Sequence, residues 1–201
     1  VTKVINQKVI NQNVSEYRKL SDMQSDITKA IDTVSPAVMH IVRSTDVTGT
    51  SGIISSINGG GTAIAVTSDG YLITNKHVIE NIKDKYIAVT AEGEKLPVSN
   101  IWVDPILDLA VLKVTNSTGK ALNDLPTATF VSKDSSIHLG QFAILVGNSQ
   151  NSLAQLQTIG SVSQKNITFN VTSGDASVNI PYIALDAVAY PGFSGGPTID
   201  L

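Results

Sequence analysis

Between Ser21 and Val34 the apolar residues Met23, Ile27, Ala30, Ile31 and Val34 recur at helical spacing, which predicts one amphipathic helix with a single apolar face. Ser21 and Gln24 have the spacing of a capping box at its start. Ser35-Pro36 closes it, because a proline disfavours helical geometry in the residue before it. After Pro36 the pattern changes to short β-type runs: AVMHIV, TAIAVTS, YLITN, KYIAVTA, LAVLKV, QFAILVG, ITFNVT and IPYIALDA. Ser68-Asp69-Gly70, Glu92-Gly93, Asn116 to Gly119 and Ser173-Gly174-Asp175 separate them with residues suited to tight turns. Many short strands and one helix predict an all-β barrel or sandwich. A composition shift across Asn116 to Pro126 divides the β region in two, so the chain reads as a linker and helix over 1–35 and β units over 36–120 and 121–201. The polar repeat VINQKVINQ within residues 1–20 is too short for a solenoid and reads as linker or frayed helix.

Composition narrows the function classes. The 201 residues are 42% hydrophobic and 15% charged, and no apolar run approaches the roughly 20 residues of a membrane-spanning helix. A formal charge of -3, unclustered, gives no basic stripe for nucleic acid. With no cysteine there is neither a disulfide nor a thiolate nucleophile, and three scattered histidines suggest no metal site. Gly59-Gly60-Gly61 lacks the following Lys-Ser/Thr of a phosphate cradle, so no cofactor is expected. The chain starts at Val1, and any targeting peptide or membrane anchor is expected upstream of it. Four Asn-X-Ser/Thr sequons, at Asn13, Asn116, Asn166 and Asn170, matter only in a glycosylating host.

Candidate chemistry lies near the C-terminus. In PGFSGGP, residues 191–197, glycines around Ser194 let backbone amides crowd one point. A serine that attacks a carbonyl needs a base, an orienting carboxylate for that base, and N–H donors for the developing oxyanion. TNKHVIE places His77 just after a strand, and DPILDLAVLKV offers Asp104 and Asp108. Asp104 precedes a proline in a turn, whereas Asp108 leads directly into the apolar strand, which favours Asp108. His40, inside a strand pattern, and His138, in a polar loop, read as structural or solvated.

TNKHVIE, DPILDLAVLKV and PGFSGGP, in that order, resemble the three catalytic segments of the chymotrypsin-like serine proteases, and most of all their HtrA/Deg branch. GGGTAIAVTSDGYLIT before the histidine, ILVGNS at 144–149 and TIGSVS at 158–163 extend the likeness over 36–201. The resemblance implies a double β-barrel with His77 as base, Asp108 as orienter and Ser194 as nucleophile in the cleft between the barrels. It implies an oxyanion hole from the backbone N–H groups of Gly192 and Ser194, with no metal and no cofactor. Val188, Ala189 and Tyr190 would form one wall of the specificity pocket, and their uncharged side chains favour cleavage after small or medium apolar residues.

Two departures stand out. Phe193 occupies the place where trypsin-type enzymes carry an aspartate that pairs with a new N-terminus, so that activation switch is absent. The chain ends seven residues after Ser194, so an incomplete second barrel is expected, without the PDZ domains that HtrA relatives add. The expected function is a serine endopeptidase acting on polypeptides through an acyl-enzyme, extracytoplasmic, in quality control or regulatory proteolysis. A homo-oligomer is the family expectation, with membrane contact only through an upstream anchor. The alternative is a catalytically silent barrel that binds peptides or signals.

Overall fold

The computed structural model describes residues 19–48, 56–57, 59–132, 136–150, 152, 154–173 and 176–200. The VINQKVINQ repeat lies outside them. The described part of a helix, α1, covers residues 19–34 and so extends upstream of the capping-box position. Ser21 is therefore inside the helix and not its N-cap; Lys19 and Leu20, both good helix formers, carry helical geometry past it. A 3₁₀ turn at Ser35–Ala37 follows, with Pro36 in a position where its missing N–H costs nothing. Ile27, Ala30, Ile31 and Val34 of α1 pack on buried Val38, Ile144 and Val146, so the C-terminal part of the helix's apolar face is covered by the β structure, whereas Met23 at its N-terminal end is exposed. Among the described residues no helix is long and apolar enough to cross a membrane.

Among the described residues twelve strands follow. β1 (Val38–Arg43), β4 (Gly61–Ala65), β5 (Tyr71–Thr74), β6 (Tyr86–Val89), β7 (Lys95–Val103) and β8 (Ala110–Val114) close an antiparallel barrel in the order β1-β4-β5-β8-β7-β6. β2 (Val47–Thr48) and β3 (Ser56–Ile57) form a small ribbon beside it. β9 (Phe142–Asn148), β10 (Gln155–Ser173), β11 (Ala176–Leu185) and β12 (Thr198–Ile199) make a second, open sheet in the order β11-β10-β9-β12. β7 had no counterpart among the apolar runs. Pro97 interrupts its pattern and most of its side chains are only partly buried.

Alternation explains the barrel interior. Met39, Ile41, Ala63, Ala65, Leu72 and Leu112 point inward and are excluded from solvent. The intervening residues of β1 and β4 are buried too, which gives both strands continuous burial instead of period-2 exposure. Their outer faces are covered by α1, β9 and the loop at 192–196. In β1, Val38 packs toward β9, Val42 packs on Val89, and His40 lies between them at 1% exposure. Beyond a bulge near Asn166, whose φ is +61°, β10 and β11 run on as a two-stranded ribbon, with Phe169 and Tyr182 edge to face at 5.1 Å.

Leu112→Ala removes a fully buried side chain from the barrel centre and is expected to lower unfolding free energy by about 2–5 kcal/mol, measured by urea denaturation.

Candidate active site

The pairing of β5 with β8 sets the first part of the site. Thr74 lies opposite Ala110, so the chain leaving β5 runs past the chain entering β8. Asn75, extended, starts the 3₁₀ turn Lys76–Val78 and donates its side-chain amide to the Asp108 carbonyl at 2.9 Å. The His77 N–H donates to Asp108 Oδ1 at 2.9 Å, and His77 Nδ1 lies 2.6 Å from Asp108 Oδ2. An ionised carboxylate only accepts, so this short contact places the proton on Nδ1 and leaves Nε2 as a free acceptor. Burial pushes the Asp108 carboxyl up, but the bonds from the His77 N–H and ring and from the Lys76 N–H outweigh it. The net position is below the ordinary carboxylate value. Asp104 does different work: its Oδ1 accepts from the N–H groups of Ile106 and Leu107 at 2.8 and 2.7 Å, closing the turn before Asp108. These two bonds hold its carboxyl below the usual range.

The second part is the loop from Tyr190 to Gly196. Phe193 N–H donates to Tyr190 O at 3.0 Å across Pro191 and Gly192, and Gly192 has φ +100°. Proline second and a positive-φ glycine third are the requirements of a type II turn. Pro191 O accepts from Gln150 N–H at 3.2 Å and Phe193 O from Gly196 N–H at 2.8 Å. Ser194 O accepts from Thr62 N–H at 2.8 Å, which ties the loop to β4 of the first barrel. Because N–H and C=O point oppositely across a trans peptide, these bonds turn the N–H groups of Gly192 and Ser194 away from protein acceptors. Neither donates to the protein among the described residues. A side chain on Gly192 would run into Asn148 O and Gln150 N, and one on Gly195, at φ +86°, into Thr62 O and the Thr74 hydroxyl.

His77 and Ser194 line the same cleft of about 300 Å³, together with Gly60, Val78, Gln150 and Gly192. No hydrogen bond joins Ser194 Oγ to His77 among the described residues. Catalytic bonds of this type commonly tighten only when substrate is bound. The sequence matches the trypsin-like peptidase domain family over residues 61–201. The chain belongs to that family. Within it the similarity is to the HtrA/DegP branch. A Chlamydia pneumoniae protein described as a probable periplasmic serine endoprotease, DegP-like, is 32% identical over 145 residues, covering 70% of this chain and 26% of its own length. A Bartonella henselae protein of the same description is 33% identical over 141 residues, covering 70% and 25%. The chain thus spans about a quarter of the length of the curated relatives it matches.

Among solved structures, the HtrA-type protease AlgW with a tripeptide superposes with a TM-score of 0.65 at 26% identity, covering 86% of this chain and 50% of that chain. AlgW with a decapeptide gives 0.63 at 24% identity, covering 85% and 54%, and bears on the fold alone. The trypsin-like peptidase fold here is thus a chymotrypsin-like double barrel with one closed barrel, a second left as an open sheet, and a helix ahead of both.

Other residues singled out in the sequence fall as follows. Phe193 is 7% exposed, packed on Gly147 and edge-on to the Tyr190 ring at 5.8 Å; a Cβ on Gly147 would lie 2.7 Å from the Phe193 ring. In this trypsin-like peptidase the residue before the serine is therefore held by an apolar contact. Val188, Ala189 and Tyr190 are exposed and do not line the 300 Å³ cleft. Their segment hangs on β10: Thr158 Oγ1 donates to Val188 O at 2.7 Å, and Asp186 accepts from the Ser161 N–H and from the Ser161 hydroxyl. His40 is buried with Nε2 3.3 Å from Gly59 O, and burial lowers its pKa. His138 is exposed, 3.0 Å from Ser136 Oγ. Asn75, Gln150 and Thr62 support the site but were not singled out; each acts through a backbone or buried contact that leaves no periodicity or motif.

Asp108 has a depressed folded pKa, so its contribution to stability is present above the unfolded carboxylate value, about 3.9. It is lost as pH falls through the lower folded value. The stability difference between wild type and Asp108→Asn is therefore expected to be constant near neutrality and to vanish on acidification, read from urea midpoints across pH. Since the side chain is 48% exposed, the difference should be small.

Proposed function

We propose that this chain is the catalytic portion of an extracytoplasmic serine endopeptidase that cleaves polypeptides through an acyl-enzyme. The observation that carries the reading is the loop around Ser194, in which the two N–H groups flanking Phe193 have no protein acceptor among the described residues. The His77–Asp108 pair lining the same cleft supports it.

In this reading Ser194 Oγ attacks the scissile carbonyl while His77 Nε2 takes its proton. The carbonyl oxygen becomes an oxyanion that accepts from the N–H groups of Gly192 and Ser194, each donor worth about 3 kcal/mol at the transition state. As the C–N bond breaks, the imidazolium returns its proton to the departing amine, leaving an acyl group on Ser194. Water then attacks the acyl carbon, giving a proton to His77, and as the bond from the acyl carbon to Ser194 Oγ breaks the imidazolium returns that proton to Oγ, releasing the acid and restoring Ser194 and the neutral base. Asp108 keeps the imidazole tautomer and stabilises the imidazolium throughout, which its lowered pKa suits. Val188, Ala189 and Tyr190 are assigned to the pocket for the residue before the cut, with a preference for small or medium apolar side chains. A role in quality control or regulatory proteolysis, and assembly as a homo-oligomer, rest on the likeness to the HtrA/DegP branch.

A fluorophosphonate probe is expected to label the folded 201-residue chain at Ser194 and to leave Ser194→Ala unlabelled. Asp108→Asn is expected to slow labelling by roughly 10³ to 10⁴, because the base is then held in the wrong tautomer. Absence of labelling in folded protein would favour the silent peptide-binding reading instead.

A further inference from the structure

Four polar side chains are buried among the described residues, those of His40, Thr62, Thr74 and Asn148, and three of them meet behind the nucleophile loop. Thr62 is the second residue of β4, opposite His40 of β1, and is fully excluded from solvent. Its hydroxyl donates to Gly192 O at 2.6 Å and accepts from Asn148 N–H at 2.8 Å, with Asn148 Nδ2 at 3.5 Å. A hydroxyl has one proton, and here it is committed to Gly192. The backbone of Thr62 is engaged as well: its N–H donates to Ser194 O at 2.8 Å, and its carbonyl accepts from the Thr74 hydroxyl at 2.6 Å. One residue of the first barrel therefore grips the carbonyls of Gly192 and Ser194, on either side of Phe193.

We infer that the Thr62 hydroxyl is a positioning group for the oxyanion-binding loop. This inference rests on the endopeptidase reading for its catalytic consequence but not for its structural one. Holding Gly192 O fixes the plane of the Gly192–Phe193 peptide and with it the Phe193 N–H bond to Tyr190 O. Gly192 is itself free to rotate, since it lacks a Cβ, so the direction of its N–H depends on what its two peptide planes are bonded to. Gln150 holds the plane before it and Thr62 the plane after it. Without the hydroxyl, Gly192 O and Asn148 N–H become buried groups lacking a partner, a state relieved by rotating the peptide or admitting water. Either adjustment reorients the Gly192 backbone and with it the direction of its N–H. The Thr62 methyl has a lesser part: it lies over Gly196, where a side chain would come within 3.3 Å of it.

Thr62→Val keeps the shape and removes the hydroxyl, whereas Thr62→Ser keeps the hydroxyl. Two rates are measured on the 201-residue chain: amide hydrogen exchange at Phe193, with Ala63 and Leu112 as barrel references, and fluorophosphonate labelling of Ser194. In Thr62→Val, exchange at Phe193 is expected to accelerate on the order of tenfold or more, with Ala63 and Leu112 unchanged. Labelling is expected to slow on the order of tenfold or more. Thr62→Ser should stay within about threefold of wild type in both. Exchange at Phe193 in Thr62→Val within about twofold of wild type overturns the inference, as does equal acceleration at all three amides, which would mark a purely structural hydroxyl. If wild type itself fails to label, the endopeptidase reading falls, and the exchange pattern still decides whether Thr62 sets the loop.

Discussion

Strand β4 is buried on both faces, and the two halves of the molecule are joined through that burial. Inward, Ala63 and Ala65 complete the barrel core; outward, Thr62 meets the loop that carries Ser194. An edge strand with one wet face could not do this, because water would compete for the hydrogen bonds between Thr62, Gly192 and Ser194. Closure of the barrel through β1 and β5 gives β4 a partner on each side and leaves its backbone at Thr62 as a rigid donor and acceptor. The pairing of β5 with β8 then brings His77 to Asp108 within the same barrel. The site is therefore assembled at the seam, from one rigid wall and one loop bonded to it.

The loop around Ser194 is held by glycines, carbonyls and an apolar contact, with no charged latch among the described residues. Where trypsin-type enzymes carry an aspartate before the serine, Phe193 is held by the flat surface that Gly147 leaves open and by the Tyr190 ring. Apolar contact does not depend on a liberated terminus, and it positions the loop without a titratable group. Gly147 leaves room for the Phe193 ring, and the Phe193 N–H closes the turn across Pro191 and Gly192 on Tyr190 O.

Much of this was legible in the sequence where a local rule governs. The helix face of Ile27, Ala30, Ile31 and Val34 is read from its period and is found packed on the β structure. Asp104 and Asp108 are separable because one precedes a proline in a turn and the other a strand; the structure has the first bonding to Ile106 and Leu107 and the second to His77. Other features escaped because no local rule carries them. Lys19 and Leu20 are already helical, so α1 runs past the plausible cap at Ser21, which no local rule at that serine foretells. β7 is half-exposed and contains Pro97, so it has neither a continuous apolar run nor clean alternation. Thr62 reads as one more β-branched strand residue; its role arises from contacts with Asn148 and Gly192, 86 and 130 residues away.

In the proposed mechanism Gly192 and Ser194 present an oxyanion site beside a serine that His77 deprotonates. The most direct measurement is a crystal structure of the chain with a peptidyl boronic acid, which copies the tetrahedral intermediate. The account predicts a boron bonded to Ser194 Oγ, one boronate oxygen within hydrogen-bond reach of both the Gly192 and Ser194 N–H groups, and His77 beside the other. A boronate that leaves Ser194 unbonded in folded protein, or an adduct whose oxygens avoid those two N–H groups, would contradict it.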